Sequence, residues 1–234
     1  MLNYLVKRFD IEKMRAVLNL FEINSEARLL DLGCSSGEFT LMVGRTVGTN
    51  KLFGIEIEEK RAESARAKGI SVSKQDLNLK LPFEEESFDC VLANHIIEHL
   101  DNTDLFLKEI YRILKVGGYA IIATPNLAAG YNIFFLMLGK QPYIAMVSDE
   151  VLVGTWMPLR RLTVLDEEGP AHRRIFTLGA LKQLTEHHGF TTEKAIGCGF
   201  FPIPSPMSVV ASFIDKWHAT NIIVKIRKNI VSPH

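Results

Sequence analysis

The sequence predicts an α/β fold, a doubly wound sheet with helices on both faces, on three observations. Short apolar runs alternate with amphipathic segments from Arg28 to Thr124, the pattern of parallel strands joined by crossover helices. Those runs are apolar nearly throughout, as strands covered by helices on both sides must be. The third observation is LLDLGCSSGEFT, residues 29–40, a strand that enters a glycine-marked turn and then a helix. At 234 residues, 47% hydrophobic and 23% charged, the chain can bury one sizeable core.

Taken in order, an opening helix is expected near Asp10 to Phe21, and strands at Arg28–Leu32, Lys51–Glu56, Ile70–Ser73, Phe88–Ala93 and Tyr119–Thr124. The crossover Glu58–Lys68 has acids in its first turn and Arg66 and Lys68 in its last, matching the helix dipole, with Gly69 placed for a left-handed cap. A helix over Thr103–Lys115 has Asn102 as its N-cap. Phe106, Ile110, Ile113 and Leu114 lie on one face, and Gly117-Gly118 is read as its stop. From Pro125 to Arg174 the alternation ceases, which reads as an insertion after the fifth strand. A helix at Leu178–His188 follows, ended by Gly189. Strands at Phe190–Ile196 and Asn221–Ile226 then flank a proline-punctuated loop and a short helix near Val209–Trp217.

Lys plus Arg and Asp plus Glu number 27 each, so no net positive field exists to hold a nucleic-acid backbone, and no nucleic-acid partner is expected. Cys34, Cys90 and Cys198 are widely spaced and form no C-x-x-C, which argues against a disulfide framework or a zinc ribbon and for a cytoplasmic location. The opening MLNYLVKRFDIEK has no signal-like apolar stretch, and the run Tyr131–Leu138 is far shorter than the roughly 18 residues of a membrane span. No stable membrane insertion is expected. Oligomeric state leaves no mark in the sequence.

In an open α/β sheet, ligands bind beyond the carboxyl ends of the strands near the switch point, and the turn after Leu32 lies there. Gly33 and Gly37 would let a ligand approach the backbone, since a Cβ would fill that space. The dinucleotide fingerprint G-x-G-x-x-G is not met, because Ser35 and Glu38 stand at the required offsets from Gly33. Asp31 would repel a diphosphate and attract an ammonium. Glu56 ends the second strand, where an acid can accept two hydrogen bonds from a ribose diol. Asp76 follows the third and could accept from an adenine amine. Three acids at successive strand ends beside one glycine turn point to a cofactor that is zwitterionic or cationic.

These residues resemble the class I S-adenosylmethionine-dependent methyltransferases, in particular their small-molecule branch. The matching pieces are LLDLGCSSGEFT, LFGIEI, KQDL, FDCVLANHIIEHL, the helix ending in ILKVGG, and YAIIATPN, spanning about Arg28 to Asn126. The resemblance implies a Rossmann-like, seven-stranded, mostly parallel sheet with an antiparallel last strand. It implies S-adenosylmethionine as cofactor, with S-adenosylhomocysteine as product. It also places Asp31, Gly33, Cys34 and Gly37 around the methionine moiety, Glu56 and Ile57 at the ribose, Asp76 and Leu77 at the adenine, and Asn94 and His95 between cofactor and acceptor. Ser35 replaces the family's middle glycine. One domain is expected over residues 1–234: a helical lid at 1–24, a cofactor-binding half at 25–126, an insertion forming an acceptor lid at 127–174, and a C-terminal helix with strands at 175–234.

The expected function is methyl transfer to an oxygen or nitrogen of a small molecule. His172, in the stretch AHRRIFT before the late helix, is a candidate base alongside His95. The pairs Arg160-Arg161 and Arg173-Arg174 suit an acidic acceptor, and the aromatic insertion suits a glycan, lipid-linked or aromatic one. Tyr131–Leu138 reads as packed lid helix, pocket wall or shallow membrane-docking face. His95-Ile96-Ile97-Glu98-His99 matches the zinc signature H-x-x-E-H. The sequence offers no evident third ligand and no long helix to present the pair, so no metal is expected. Two other classes compete: a noncatalytic methyltransferase-like binding module, and a nicotinamide oxidoreductase, which should have the absent glycine spacing.

Overall fold

The structure, a computed structural model, describes residues 11–148, 153–155 and 172–229. Helix α1 covers residues 11–18 of the described chain. After it come β1 (Leu29–Leu32), α2 (Glu38–Val47), β2 (Leu52–Ile55), α3 (Glu59–Ala67), β3 (Ser71–Ser73) and β4 (Phe88–Asn94). A 3-10 turn (Ile97–His99) leads into α4 (Thr103–Ile113), β5 (Leu114–Pro125) and α5 (Gly130–Met137). The described chain closes with α6 (Leu178–His187), β6 (Phe190–Cys198), α7 (Met207–Ile214) and β7 (Asn221–Lys228).

All seven strands form one sheet in the order β3-β2-β1-β4-β5-β7-β6. The pairs from β3 to β5 are parallel, and β7 runs antiparallel to both β5 and β6, as the family resemblance implies. Strand order reverses between β1 and β4. In open α/β sheets such a switch point is where a ligand crevice lies, at the carboxyl ends of the two strands.

The period of two is visible in the core. Leu30, Leu32, Val91, Ala93, Ala120 and Ile122 face one side with Phe106 and Ile110 of α4 and Leu181 of α6. Leu29, Cys90, Leu92, Ile121 and Ala123 face the other with Val17 of α1, Val43 of α2 and Ala65 of α3. Both faces are therefore covered, which is why these strands read as unbroken apolar runs. The expected caps form: Asn102 Oδ1 accepts from the Leu105 amide at 2.9 Å, and Gly69 is left-handed at φ +86°.

Most element ends shift by a residue or two from the sequence reading, and larger differences fall at the α4–β5 junction and the late helix. Helix α4 ends at Ile113 rather than Lys115, and Gly117-Gly118 lies inside β5 instead of stopping a helix. Leu114 already pairs with Phe88, and the ladder shifts register between Phe88 and Cys90. A Cβ on Gly118 would lie 3.0 Å from the Asp89 carbonyl, so the glycines serve a bend in a paired strand. The short late helix is Met207–Ile214, not Val209–Trp217. Asp215 ends it by accepting from the amides of Trp217 at 2.9 Å and His218 at 3.2 Å. Within the expected insertion, Tyr131–Leu138 forms most of α5. Residues 149–152 and 156–171, Arg160 and Arg161 among them, lie outside the described residues, as do 1–10 of the expected helical lid. No helix among the described residues is long and apolar enough to cross a membrane.

Candidate active site

The turn after β1 is held to the end of β2 by hydrogen bonds. The amides of Gly33 and Cys34 donate to the Ile55 carbonyl at 2.8 and 3.0 Å. Glu56, the next residue and buried, then accepts from the Ser35 amide through Oε2 and from the Glu58 amide through Oε1, each at 2.9 Å. The carboxylate is thereby fixed in place, and each oxygen keeps a lone pair for a further donor. Ser35, which stands where the resemblance implies a glycine, adopts a left-handed φ of +48°. That conformation costs a non-glycine residue about 1–2 kcal/mol, which the charge-assisted bond to Glu56 offsets.

The two glycines act differently from the sequence reading. An added Cβ on Gly33 would lie 2.1 Å from Cδ1 of Ile96, and one on Gly37 would lie 2.5 Å from Cδ1 of Ile70. Both sit at positive φ, +79° and +85°. On the side where a Cβ would stand, the close approach they permit is to Ile96 and Ile70 of this chain.

Asp31 is buried and accepts from the Thr40 hydroxyl at 2.6 Å. Burial pushes its carboxyl up to about 6; the Thr40 bond works against that rise and the Glu56 charge adds to it. A buried acid with a neighbouring acid is a place where a ligand cation is favoured. Cys34 is buried too, and a Cβ on Gly54 would sit 2.5 Å from its Sγ, so this thiol packs against β2. Burial raises that thiol to about 12, which keeps it neutral. Ile57 is 60% exposed beside Glu56 and leaves an apolar surface there. Beyond β3, Asp76 accepts through Oδ1 from the Asn78 amide at 2.8 Å and from its side chain at 3.1 Å, while the half-buried Leu77 packs on the core.

A second group forms at the ends of β4 and β5. Asn94 closes β4, and its Oδ1 is buried without a hydrogen-bond partner among the described residues. His95 turns the chain at φ +57°, with its amide donating to the Ala123 carbonyl at 2.8 Å. Glu98 is 1% exposed; Oε2 accepts from the Thr124 hydroxyl at 3.0 Å, and Oε1 lies 3.1 Å from Nδ1 of His95 without the alignment of a full hydrogen bond. Burial works to raise this carboxyl, but the contact with His95, a backbone hydrogen bond and the nearby His99 together hold Glu98 below the usual carboxylate range. Its carbonyl accepts from the amides of Arg173 and Arg174 at 2.7 and 3.0 Å. Those contacts bring in His172, whose ring centroid is 4.9 Å from that of His99 and whose Nδ1 is 3.3 Å from the Ile144 carbonyl. Burial lowers the pKa of His95 and of His172, favouring neutral imidazoles.

The sequence reading thus placed Asp31 and Glu56 at one turn, and Asn94 and His95 beside it on β4. It did not foresee that His172 joins Glu98 and His99, nor that Thr124 holds Glu98. The motif H-x-x-E-H signalled the first of these; a lone threonine at the end of a strand signalled nothing. The arginine pair is committed elsewhere: Arg173 lies 3.3 Å from the Asp101 carboxylate, and Arg174 donates to the Asp101 carbonyl at 2.8 Å. A concavity of about 350 Å³ bordered by Glu22, Asp89, Lys115 and Arg227 sits at the opposite, amino end of β4. Its charges are paired, with Lys115 2.8 Å from Asp89, so it is no rival for the crevice.

Two features of the crevice fit an adenosyl amino acid. The fixed, buried Glu56 carboxylate matches a diol, and the partnerless Asn94 Oδ1 calls for a donor in the same crevice.

Residues 30–122 match the methyltransferase domain family. A demethylmenaquinone methyltransferase of Lactococcus lactis is 29% identical over 122 residues, 49% of this chain and 48% of that protein. The bifunctional methionine biosynthesis protein MetXA/MetW of Rhodopirellula baltica is 33% identical over 114 residues, 45% of this chain and 18% of its own length. The match therefore spans about half the length of the first of these relatives and far less of the second. Among solved structures, an S-adenosylmethionine-dependent methyltransferase from Thermotoga maritima superposes with a TM-score of 0.66 at 24% identity, over 97% of this chain and 92% of that one. Residues 30–122, less than half of the chain, thus resemble the methyltransferase domain family, and the fold is the one seen in solved S-adenosylmethionine-dependent methyltransferases.

Proposed function

We propose that the protein transfers a methyl group from S-adenosylmethionine to an oxygen or nitrogen of a small acceptor that carries an apolar, lipid-like portion. The observation that carries the reading is the Ser35–Glu56–Glu58 arrangement, a buried carboxylate locked by two amides at the switch point of the sheet. In this reading Glu56 holds the ribose diol, Asp31 attracts the ammonium, Asp76 accepts from the adenine amine, and Ile57 and Leu77 flank the ring. Asn94 fills its open acceptor position from the same ligand. When bound, the cofactor supplies a methyl group already activated on a sulfonium.

What remains for the chain is alignment and proton handling. Well-oriented partners reach effective molarities of roughly 10⁵ to 10⁸ M, whereas a placed base adds about 10² to 10⁴-fold. His172 suits the proton-handling role, since Nδ1 donates to the Ile144 carbonyl and leaves Nε2 as the acceptor. His95 lies 3.1 Å from the Glu98 carboxylate of the same group. The acceptor's apolar portion is inferred from α5 and α7, where Met137 is 79% and Phe213 88% exposed. Segment 127–174 would cover that acceptor as a lid. Cys34, Cys90 and Cys198 are all unpaired and buried, which suits a reducing cytoplasm.

Calorimetry tests the core of this reading. Wild type should bind S-adenosylmethionine and not NAD, and Glu56→Ala should lose most of that affinity; no binding by wild type, or equal binding by the variant, overturns it. The Lactococcus relative's name favours a second acceptor reading, a demethylmenaquinone-like quinone methylated at carbon. Transfer of isotope-labelled methyl followed by NMR of the product separates carbon from oxygen or nitrogen.

A further inference from the structure

The H-x-x-E-H stretch is a motif that the cofactor site leaves unused, and in the sequence it lacks a third ligand. The fold supplies one. Glu98, His99 and His172 each present a ligand atom, and these atoms lie within 4.8 Å of one another. Bonds of about 2.0–2.2 Å to a divalent ion set donor atoms roughly 3–4 Å apart, so a small adjustment of side chains closes the group around an ion.

Two further observations point to a cation. Glu98 is almost wholly buried, yet among the described residues its Oε1 has no aligned hydrogen bond, only Nδ1 of His95 at 3.1 Å, and Nε2 of His95 is likewise buried and unmet. The surroundings are also those of a ligand set. Thr124 fixes the other Glu98 oxygen, and the Ile144 carbonyl takes Nδ1–H of His172, which leaves Nε2 unprotonated, the form that ligates a metal. We infer that Glu98, His99 and His172 bind a divalent transition-metal ion, at the carboxyl ends of β4 and β5 beside the cofactor crevice. Two imidazoles and one carboxylate favour zinc or manganese over magnesium or calcium, and three protein ligands leave positions open.

This inference rests on the methyltransferase reading for its consequence, which is that the acceptor is a hydroxyl. The ion favours loss of the hydroxyl proton to solvent. The oxygen's electron pair then forms the bond to the methyl carbon as the carbon–sulfur bond breaks, its pair staying on sulfur. His172 becomes a ligand in place of a base.

The test uses the full chain, stripped with a chelator and titrated with Co²⁺ and Zn²⁺. Metal content and the visible absorption of Co²⁺ are recorded beside calorimetry with S-adenosylmethionine. Wild type should take up one ion per chain. His172→Asn and Glu98→Gln should each bind it at least about a hundredfold more weakly, with cofactor affinity retained. Should Glu98→Gln not fold, His99→Gln takes its place. No uptake by wild type, or equal uptake by wild type and His172→Asn, overturns the metal site. In either case intact cofactor binding leaves the methyltransferase reading standing, whereas loss of cofactor binding by wild type removes that reading and leaves the metal result to be judged alone.

Discussion

The two halves of the crevice are built in opposite ways. On the β1–β2 side, Asp31, Ser35 and Glu56 lie within 26 residues of sequence; Glu56 is held by backbone amides one strand apart and Asp31 by the nearby Thr40 hydroxyl. On the β4–β5 side, Glu98 meets Thr124 across 26 residues and His172 across 74, and the contacts run through side chains and a returning loop. A site made by local chain geometry can be recognised from a short pattern. A site made by distant segments exists only once the sheet and its crossovers have formed.

Substitutions on each side should therefore differ in kind. The largest effect is expected for Glu56→Ala, which removes a ligand acceptor and also strands the amides of Ser35 and Glu58. Cofactor affinity should fall roughly ten- to a thousandfold by calorimetry, and Glu56→Gln should fall at the lower end of that range. Next comes Gly33→Ala, where the positive φ and the overlap with Ile96 should together cost about 3 kcal/mol in urea unfolding. Gly69→Ala, at φ +86° but with open space around it, should cost only about 1 kcal/mol.

Asp31 gives a pH-dependent test of the same side. Its carboxyl titrates at about 6 in the fold and near 3.8 when unfolded, so between those values the native state holds the proton more tightly. Stability from this group is present in full below pH 3.8 and is lost as pH rises through 6, up to roughly 3 kcal/mol. Asp31→Asn keeps an acceptor for Thr40 and should gain thermal stability over wild type increasingly from pH 5 to pH 7. A difference that stays flat with pH contradicts the burial argument. On the other side, Thr124→Val leaves the buried Glu98 oxygen without its donor and should cost about 1–3 kcal/mol. It should leave cofactor affinity unchanged; a matching loss of affinity would show that the two halves are one coupled site.

The differences between sequence and structure follow the same division. The strands of the parallel half were legible because burial on both faces makes each an unbroken apolar run, and Asn102 and Gly69 marked helix ends by local chemistry. Gly117-Gly118 misled, because a glycine pair that stops a helix and one that bends a strand look alike until Leu114 is seen to pair with Phe88. Gly33 and Gly37 carry the expected backbone geometry beside an unexpected neighbour: sequence shows that a Cβ is missing, not which atoms take its place.

What the sequence determined by itself is the alternation of strands and helices, the glycine turn and the acids at its rim. Those depend on periodicity and on interactions between near neighbours, and both are written in residue order. Only the tertiary structure decided that Ile96 closes over Gly33, that Thr124 secures Glu98, and that His172 returns to His99. Such meetings depend on where two distant segments are carried by the packing of the whole sheet, and no local pattern of residues specifies that distance.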